Sequence, residues 1–169
     1  GKDGYMDYVI KNGTKIEGLS GASDSDVTVT GMVGEYIITV VAVNGNDKMA
    51  TETTFTGLKW ESIGIGMLSS SFFGGEGECE FYKASPVLKY KAIGPFEEGY
   101  DIVFDVADNN SVTVAQQAVY SSYGSYGTLY VSGNGALQSN KITVNLTFRV
   151  SAGVFGAFTE TFILPVTEP

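Results

Sequence analysis

The stretch KITVNLTFRV, residues 141–150, alternates apolar and polar side chains without a break. Successive side chains of a β-strand point to opposite faces, so this period of two predicts a strand with one buried and one solvent-facing side. Residues 100–106 repeat the pattern, and no apolar stripe of helical period extends beyond two turns. The sequence therefore predicts an all-β protein. The buried face of the first stretch would hold Ile142, Val144, Leu146, Phe148 and Val150.

Turn-forming residues separate such runs at intervals of one strand length. Asn44-Gly45-Asn46-Asp47 predicts a tight hairpin after residues 36–43, which are β-branched and apolar on both faces, as in a central strand covered on each side. Asp108-Asn109-Asn110 predicts a second hairpin. Gly133-Asn134-Gly135 and Ser151-Ala152-Gly153 predict two further turns. We expect about ten to twelve antiparallel strands.

A change in composition near Gly57 indicates two modules. Residues 1–57 are predicted to form an immunoglobulin- or fibronectin-III-like β segment, shorter than the roughly 100 residues that a complete domain of this kind takes. Residues 58–169, which open on a glycine-rich stretch, are predicted to form a second antiparallel β-sandwich. The alternative is one continuous sandwich with a long loop.

Composition excludes several classes of function. The 169 residues carry 19 acidic and 10 basic side chains, a net charge of −9, and Arg149 is the only arginine, so nucleic acid is not an expected partner. The chain has no histidine, which removes imidazole bases and histidine metal ligands. Cys79 is the only cysteine and lies among acidic residues, so we expect an inert, buried thiol. We expect no cofactor.

Carboxylates are the remaining candidates for catalysis or metal binding. Glu97-Glu98, or Asp101 with Asp105, would supply the pair of carboxylates that a glycosidase needs. Asp101 and Asp105 lie four positions apart on one strand, about 13 Å, which is too wide. Asp24-Ser25-Asp26 and the turn at Asp108 are acidic clusters that lack the spacing of a calcium-binding EF-hand loop. We therefore predict no catalytic residue and no metal ligand, with a carboxylate-dependent glycosidase as a remote alternative.

Five short motifs resemble a family of surface lipoproteins from gut Bacteroidetes, in which an immunoglobulin-like domain precedes a C-terminal β module. They are the run from Gly34 to Gly45, Trp60-Glu61-Ser62-Ile63-Gly64, the strand ending at Asp105, Val112-Thr113-Val114-Ala115-Gln116-Gln117, and Phe162-Ile163-Leu164-Pro165. The resemblance implies an exported protein of the bacterial outer-membrane surface. It also implies that membrane attachment is only through a lipid anchor outside this sequence, and it supplies no catalytic residues.

Aromatic side chains are the best candidates for ligand binding. Residues 120–130 place tyrosines among glycines and serines, and flat amphipathic rings on such a loop suit stacking against sugar rings. The predicted ligand-binding residues are Tyr120, Tyr123, Tyr126, Tyr130 and Trp60. We expect a non-enzymatic protein that captures glycan or adheres to a host or surface protein; a structural or pilus-like assembly subunit is the alternative. Packing of the same rings in the core is the competing interpretation of the tyrosines.

Overall fold

A computed structural model describes residues 5–12, 15–22, 33–44 and 46–166. The chain divides into two compact units, Gly1–Lys59 and Trp60–Pro169, so the division falls two residues after the predicted module boundary. The first unit contains an antiparallel sheet in the order β2-β1-β3-β4. Its strands are β1 (Tyr5–Asn12), β2 (Lys15–Ala22), β3 (Gly34–Asn44) and β4 (Asp47–Gly57).

The hairpin predicted at Asn44 is confirmed, because β3 and β4 pair from Gly34↔Gly57 to Asn44↔Asp47. β3 lies between β1 and β4, as expected of a central strand. Tyr36 on this strand is buried, whereas Ile37 on the opposite face is 39% exposed. Ile37 therefore lacks the cover that the apolar pattern predicts.

The second unit is an eight-stranded antiparallel barrel in which strands follow one another in chain order. The strands are β5 (Lys59–Ser70), β6 (Gly75–Ser85), β7 (Lys89–Glu97), β8 (Tyr100–Val106), β9 (Ser111–Tyr120), β10 (Leu129–Gln138), β11 (Lys141–Val150) and β12 (Gly153–Ile163). The last strand closes the barrel on the first, with register from Glu160↔Ser70 to Ile163↔Met67. Alternate connections of such a meander lie at the same end of the barrel.

Side chains fill the barrel interior. Ile142, Val144, Leu146 and Phe148 of β11 are fully buried, which confirms the inward face predicted from the alternation. They pack in one core with rings and aliphatic side chains from all the remaining strands of the barrel. An eight-stranded barrel is just wide enough for its own side chains to fill it, and this interior is of that kind.

The antiparallel all-β class is confirmed, but the larger sheet is a closed barrel where the sequence predicted a sandwich. A sandwich and a barrel share the same alternation and the same hairpins, since both bury one face of every strand. The difference rests on the long-range pairing of β12 with β5, which no local pattern encodes.

The turn predicted at Gly133-Asn134-Gly135 is wrong, because these residues lie inside β10. A Cβ atom at Gly133 would lie 2.0 Å from the carbonyl oxygen of Asn145, and one at Gly135 would lie 1.9 Å from that of Thr143. These glycines allow β10 and β11 to approach closely. The turns predicted at Asp108 and Ser151 are confirmed as the β8–β9 and β11–β12 connections.

Candidate functional site

One end of the barrel is built from aromatic side chains, and we call it the aromatic end. The β5–β6, β7–β8, β9–β10 and β11–β12 connections meet there. At its centre, Phe72 stacks on Phe148 with ring centroids 4.0 Å apart and planes within 3°. The other rings are Phe73, Phe96, Tyr120, Tyr123, Tyr126, Phe155 and Phe158.

Two of the predicted binding tyrosines pack within this cluster. Tyr120 and Tyr123 are half-buried against the barrel core and meet each other at 90°, with centroids 6.3 Å apart. Tyr123 also packs against Phe72 at 5.6 Å and Phe155 at 5.4 Å. Both residues therefore hold neighbouring rings in place, and each presents only part of its own ring to solvent.

Three rings of the aromatic end are exposed. Tyr126 is 52% exposed, Phe73 is 40% exposed and Phe155 is 39% exposed. Tyr126 and Phe155 meet at 85° with centroids 5.6 Å apart, and Phe155 in turn contacts the half-buried Tyr123. Tyr126 and Phe155 thus form a corner of two nearly perpendicular faces and not a coplanar platform.

Tyr130 and Trp60 are separate from this cluster, on the outer wall of the barrel. Tyr130 pairs with Arg149 of β11, and its neighbours Leu129 and Val131 point inward. The ammonium group of Lys91 lies 4.1 Å from the centroid of the Trp60 ring, a cation–π contact. The structure therefore brings together three of the five predicted residues and places the other two elsewhere.

The β9–β10 loop that carries Tyr123 and Tyr126 is held at defined points. The Glu97 carboxylate, at the end of β7, accepts hydrogen bonds from the backbone N–H and the hydroxyl of Ser121, the latter at 2.8 Å. Within the loop, the N–H of Tyr123 donates to the carbonyl of Gly127 and the N–H of Tyr126 to the carbonyl of Tyr123. A charged acceptor strengthens such bonds, so Glu97 fixes the position at which the loop leaves β9.

The β5–β6 turn that carries Phe72 and Phe73 is anchored from inside the barrel. Glu160 of β12 is fully buried, and its Oε1 accepts the Phe72 N–H at 2.9 Å. Its Oε2 has no hydrogen-bond partner among the described residues. Burial raises the pKa of Glu160, and hydrogen bonds from Ser70 and the turn offset only part of that effect.

Two of the other carboxylates singled out from the sequence, Asp101 and Asp105, have structural partners. Asp101 accepts the Gly94 N–H at 2.9 Å, and Asp105 forms an ion pair with Lys89 at 2.7 Å. In the part of the chain that the structure describes, no three His, Cys, Asp or Glu side chains are grouped to hold a metal ion. The acidic motif at Asp24 lies outside the described residues.

The prediction of a buried cysteine is confirmed. Cys79 lies in β6 with 5% exposure. Burial raises the pKa of its thiol to about 11, opposed in part by a hydrogen bond with the backbone of Ile93 and helped by the nearby Asp101 and Glu80 carboxylates. Because the thiolate is the reactive form, this thiol is a poor nucleophile at neutral pH.

Phe72, Phe73 and Phe155 were not predicted as partners of the tyrosines. The local signal was present, because Phe72-Phe73 directly precedes Gly74-Gly75 and therefore occupies a turn between two strands. The β9–β10 loop, residues 121–128, is called the tyrosine loop. The position of the phenylalanines beside it follows from barrel closure, which places the β5–β6 turn and the tyrosine loop at one end of the barrel.

No family model matches the chain, and neither a curated protein nor a solved structure matches it. Over the residues that the structure describes, no helix has the length and apolar character required to cross a membrane.

Proposed function

We propose that this chain is a non-enzymatic binding protein that captures glycan at the aromatic end. The single observation that carries the proposal is the exposure of Tyr126, Phe73 and Phe155 on a framework of packed rings. Exposed aromatic side chains on a rigid framework bind sugar rings at low entropic cost, since the rings are already ordered before the ligand arrives.

The corner between Tyr126 and Phe155 favours a ligand with two kinds of surface. Their planes meet at 85°, so a sugar that stacks on one ring presents its edge to the other. The Tyr126 hydroxyl adds a hydrogen-bonding group, which Phe155 lacks. A pyranose ring has an apolar face of C–H groups and a rim of hydroxyls, which matches this combination.

We infer from the sequence motifs that the first unit is immunoglobulin-like and that the protein is exported to the bacterial surface. Glycan capture or adhesion to a surface protein would suit that location. The short motifs from Gly34 to Gly45 and from Trp60 to Gly64 support this inference.

A glycan array probed with the whole chain tests the proposed function. We expect reproducible hits that disappear in the double variant Tyr126→Ala/Phe155→Ala. Tyr82→Ala is the matched control, because Tyr82 is a half-exposed ring of β6 that pairs with Lys91 away from the aromatic end. A blank array, or hits that the double variant retains, would contradict the proposal.

An assembly subunit is the second candidate, and the edge strand β4 favours it. Among the residues that the structure describes, β4 is an edge strand of the first unit's sheet. Residues 49–56 are exposed on both faces, including Met49 at 77% and Phe55 at 48%. A free strand edge is able to accept a strand from another chain. Light scattering would test this: a concentration-dependent oligomer that Met49→Lys/Phe55→Lys abolishes would support assembly, and a monomer at all concentrations would oppose it.

A further inference from the structure

The acidic side chains of this chain are unevenly distributed over the barrel. Residues 109–159 contain no aspartate or glutamate, although the whole chain has a net charge of −9. These residues form β9, β10, β11 and most of β12, which are neighbours in the barrel. Glu160 of β12 is fully buried inside, so the outer wall of these four strands has no carboxylate.

Arg149 stands on this wall, and no residue that the structure describes forms an ion pair with it. It lies one residue before the end of β11, and its register neighbours are Tyr130 on β10 and Val154 on β12. The guanidinium Nε is buried and has no hydrogen-bond partner among the described residues. Buried donors are normally paired, so an unpaired arginine beside an exposed apolar side chain, Val154 at 60%, is unusual.

The Arg149 position adjoins the aromatic end. Arg149 follows Phe148, whose ring stacks on Phe72, and Val154 precedes the exposed Phe155. The pairing of β11 with β12 is irregular here, because Phe148 pairs with Gly156 while Arg149 pairs with Val154, which leaves Phe155 as the extra residue. An extra residue in one strand bends it and redirects side chains.

We propose that the glycan captured here carries a carboxylate, as in a uronic or sialic acid, and that Arg149 binds this group while Tyr130 contacts the adjoining sugar. This inference rests on the proposed function and names its ligand class. A guanidinium presents two parallel N–H donors that match the two oxygens of a carboxylate. The absence of carboxylates from the surrounding wall removes the repulsion that the acidic β5–β8 side would impose on an anionic ligand.

An array of neutral, sulfated, sialylated and uronic-acid glycans tests this inference, with the wild type and three variants. We expect hits on carboxylated glycans whose affinity falls about tenfold or more in Arg149→Gln. The loss should be smaller in Arg149→Lys, which keeps the positive charge but lacks the two parallel N–H donors. Lys141→Gln is the matched control, since it removes a cation from the same face of β11, about 26 Å away at the far end of the strand. Melting temperatures establish that each variant is folded.

An oligosaccharide of galacturonic acid and its methyl ester, both titrated into the wild type, test the same point without any substitution. If the array or the titration shows equal binding of charged and neutral forms, or if Arg149→Gln retains full affinity, the carboxylate inference is overturned while glycan capture stands. Hits on sulfated glycans alone also overturn it. A blank array overturns both the inference and the proposed function.

Discussion

The side-chain amide of Gln117 hydrogen-bonds to both backbone groups of Val103 on the neighbouring strand. Its Oε1 accepts the Val103 N–H at 2.8 Å, and its Nε2 donates to the Val103 carbonyl at 3.1 Å. Register pairs between β8 and β9 are limited to Asp105↔Thr113 and Val106↔Val112. The amide therefore takes the place of a backbone partner where the two strands separate, and links β9 to β8 at that point.

We expect Gln117→Ala to destabilise the barrel by about 1–3 kcal/mol, because it leaves the half-buried N–H and carbonyl of Val103 without partners. Gln116→Ala is the matched control, since Gln116 is the exposed neighbour in the same strand. Urea denaturation followed by fluorescence measures both. Equal stability of the two variants would show that the amide does not hold β8 to β9.

We expect the stability of the barrel to depend on the ionisation of Glu160. Burial raises the pKa of this carboxyl in the folded state, so the native protein holds the proton more tightly than the unfolded chain. Its contribution to stability is full at a pH below the ordinary carboxyl pKa and is lost as the pH rises through the raised value. Glu160→Gln removes this loss and keeps an acceptor for the Phe72 N–H.

The measurement is the free energy of unfolding from pH 4 to pH 8 for the wild type, Glu160→Gln and Glu76→Gln, whose side chain is exposed. The stability of Glu160→Gln relative to the wild type should increase with pH, whereas Glu76→Gln should follow the wild type. A pH-independent difference for Glu160→Gln would mean that the pKa of this carboxyl is not raised.

Tyr123 and Tyr126 should differ in their effect on stability, although sequence reasoning treated them alike. Tyr123 contacts Phe72, Tyr120 and Phe155 and packs against the core, so Tyr123→Ala is expected to cost about 2–4 kcal/mol. Tyr126 is 52% exposed, so Tyr126→Ala should cost less than about 1 kcal/mol. Thermal melts of the two variants compare them, and equal shifts would contradict the placement of these rings.

Glu97 should control the order of the tyrosine loop. Glu97→Gln weakens two charge-assisted hydrogen bonds to Ser121, so amide hydrogen exchange in residues 121–128 is expected to quicken roughly tenfold. Glu98→Gln is the control, because the adjacent Glu98 is exposed. Unchanged exchange in Glu97→Gln would indicate that the loop is held by its ring contacts alone.

The alternation of residues 141–150 and the turns at Asn44, Asp108 and Ser151 could be predicted because strand period and turn chemistry are local properties. Barrel closure could not, because it depends on the pairing of Glu160 with Ser70 and on the close approach at Gly133 and Gly135. The tyrosine loop was visible in the sequence for the same local reason. Its phenylalanine partners come from distant segments that only the closed barrel brings together.

The affinity of a bound glycan for the chain with and without the exposed rings is the most direct test of glycan capture at the aromatic end. Each ring contact is worth roughly 1 kcal/mol, so calorimetry should show that Tyr126→Ala/Phe155→Ala binds the strongest glycan hit about tenfold or more weakly than the wild type. Tyr82→Ala should bind as the wild type does. Equal affinity in all three proteins, or no glycan bound by the wild type, would contradict the account.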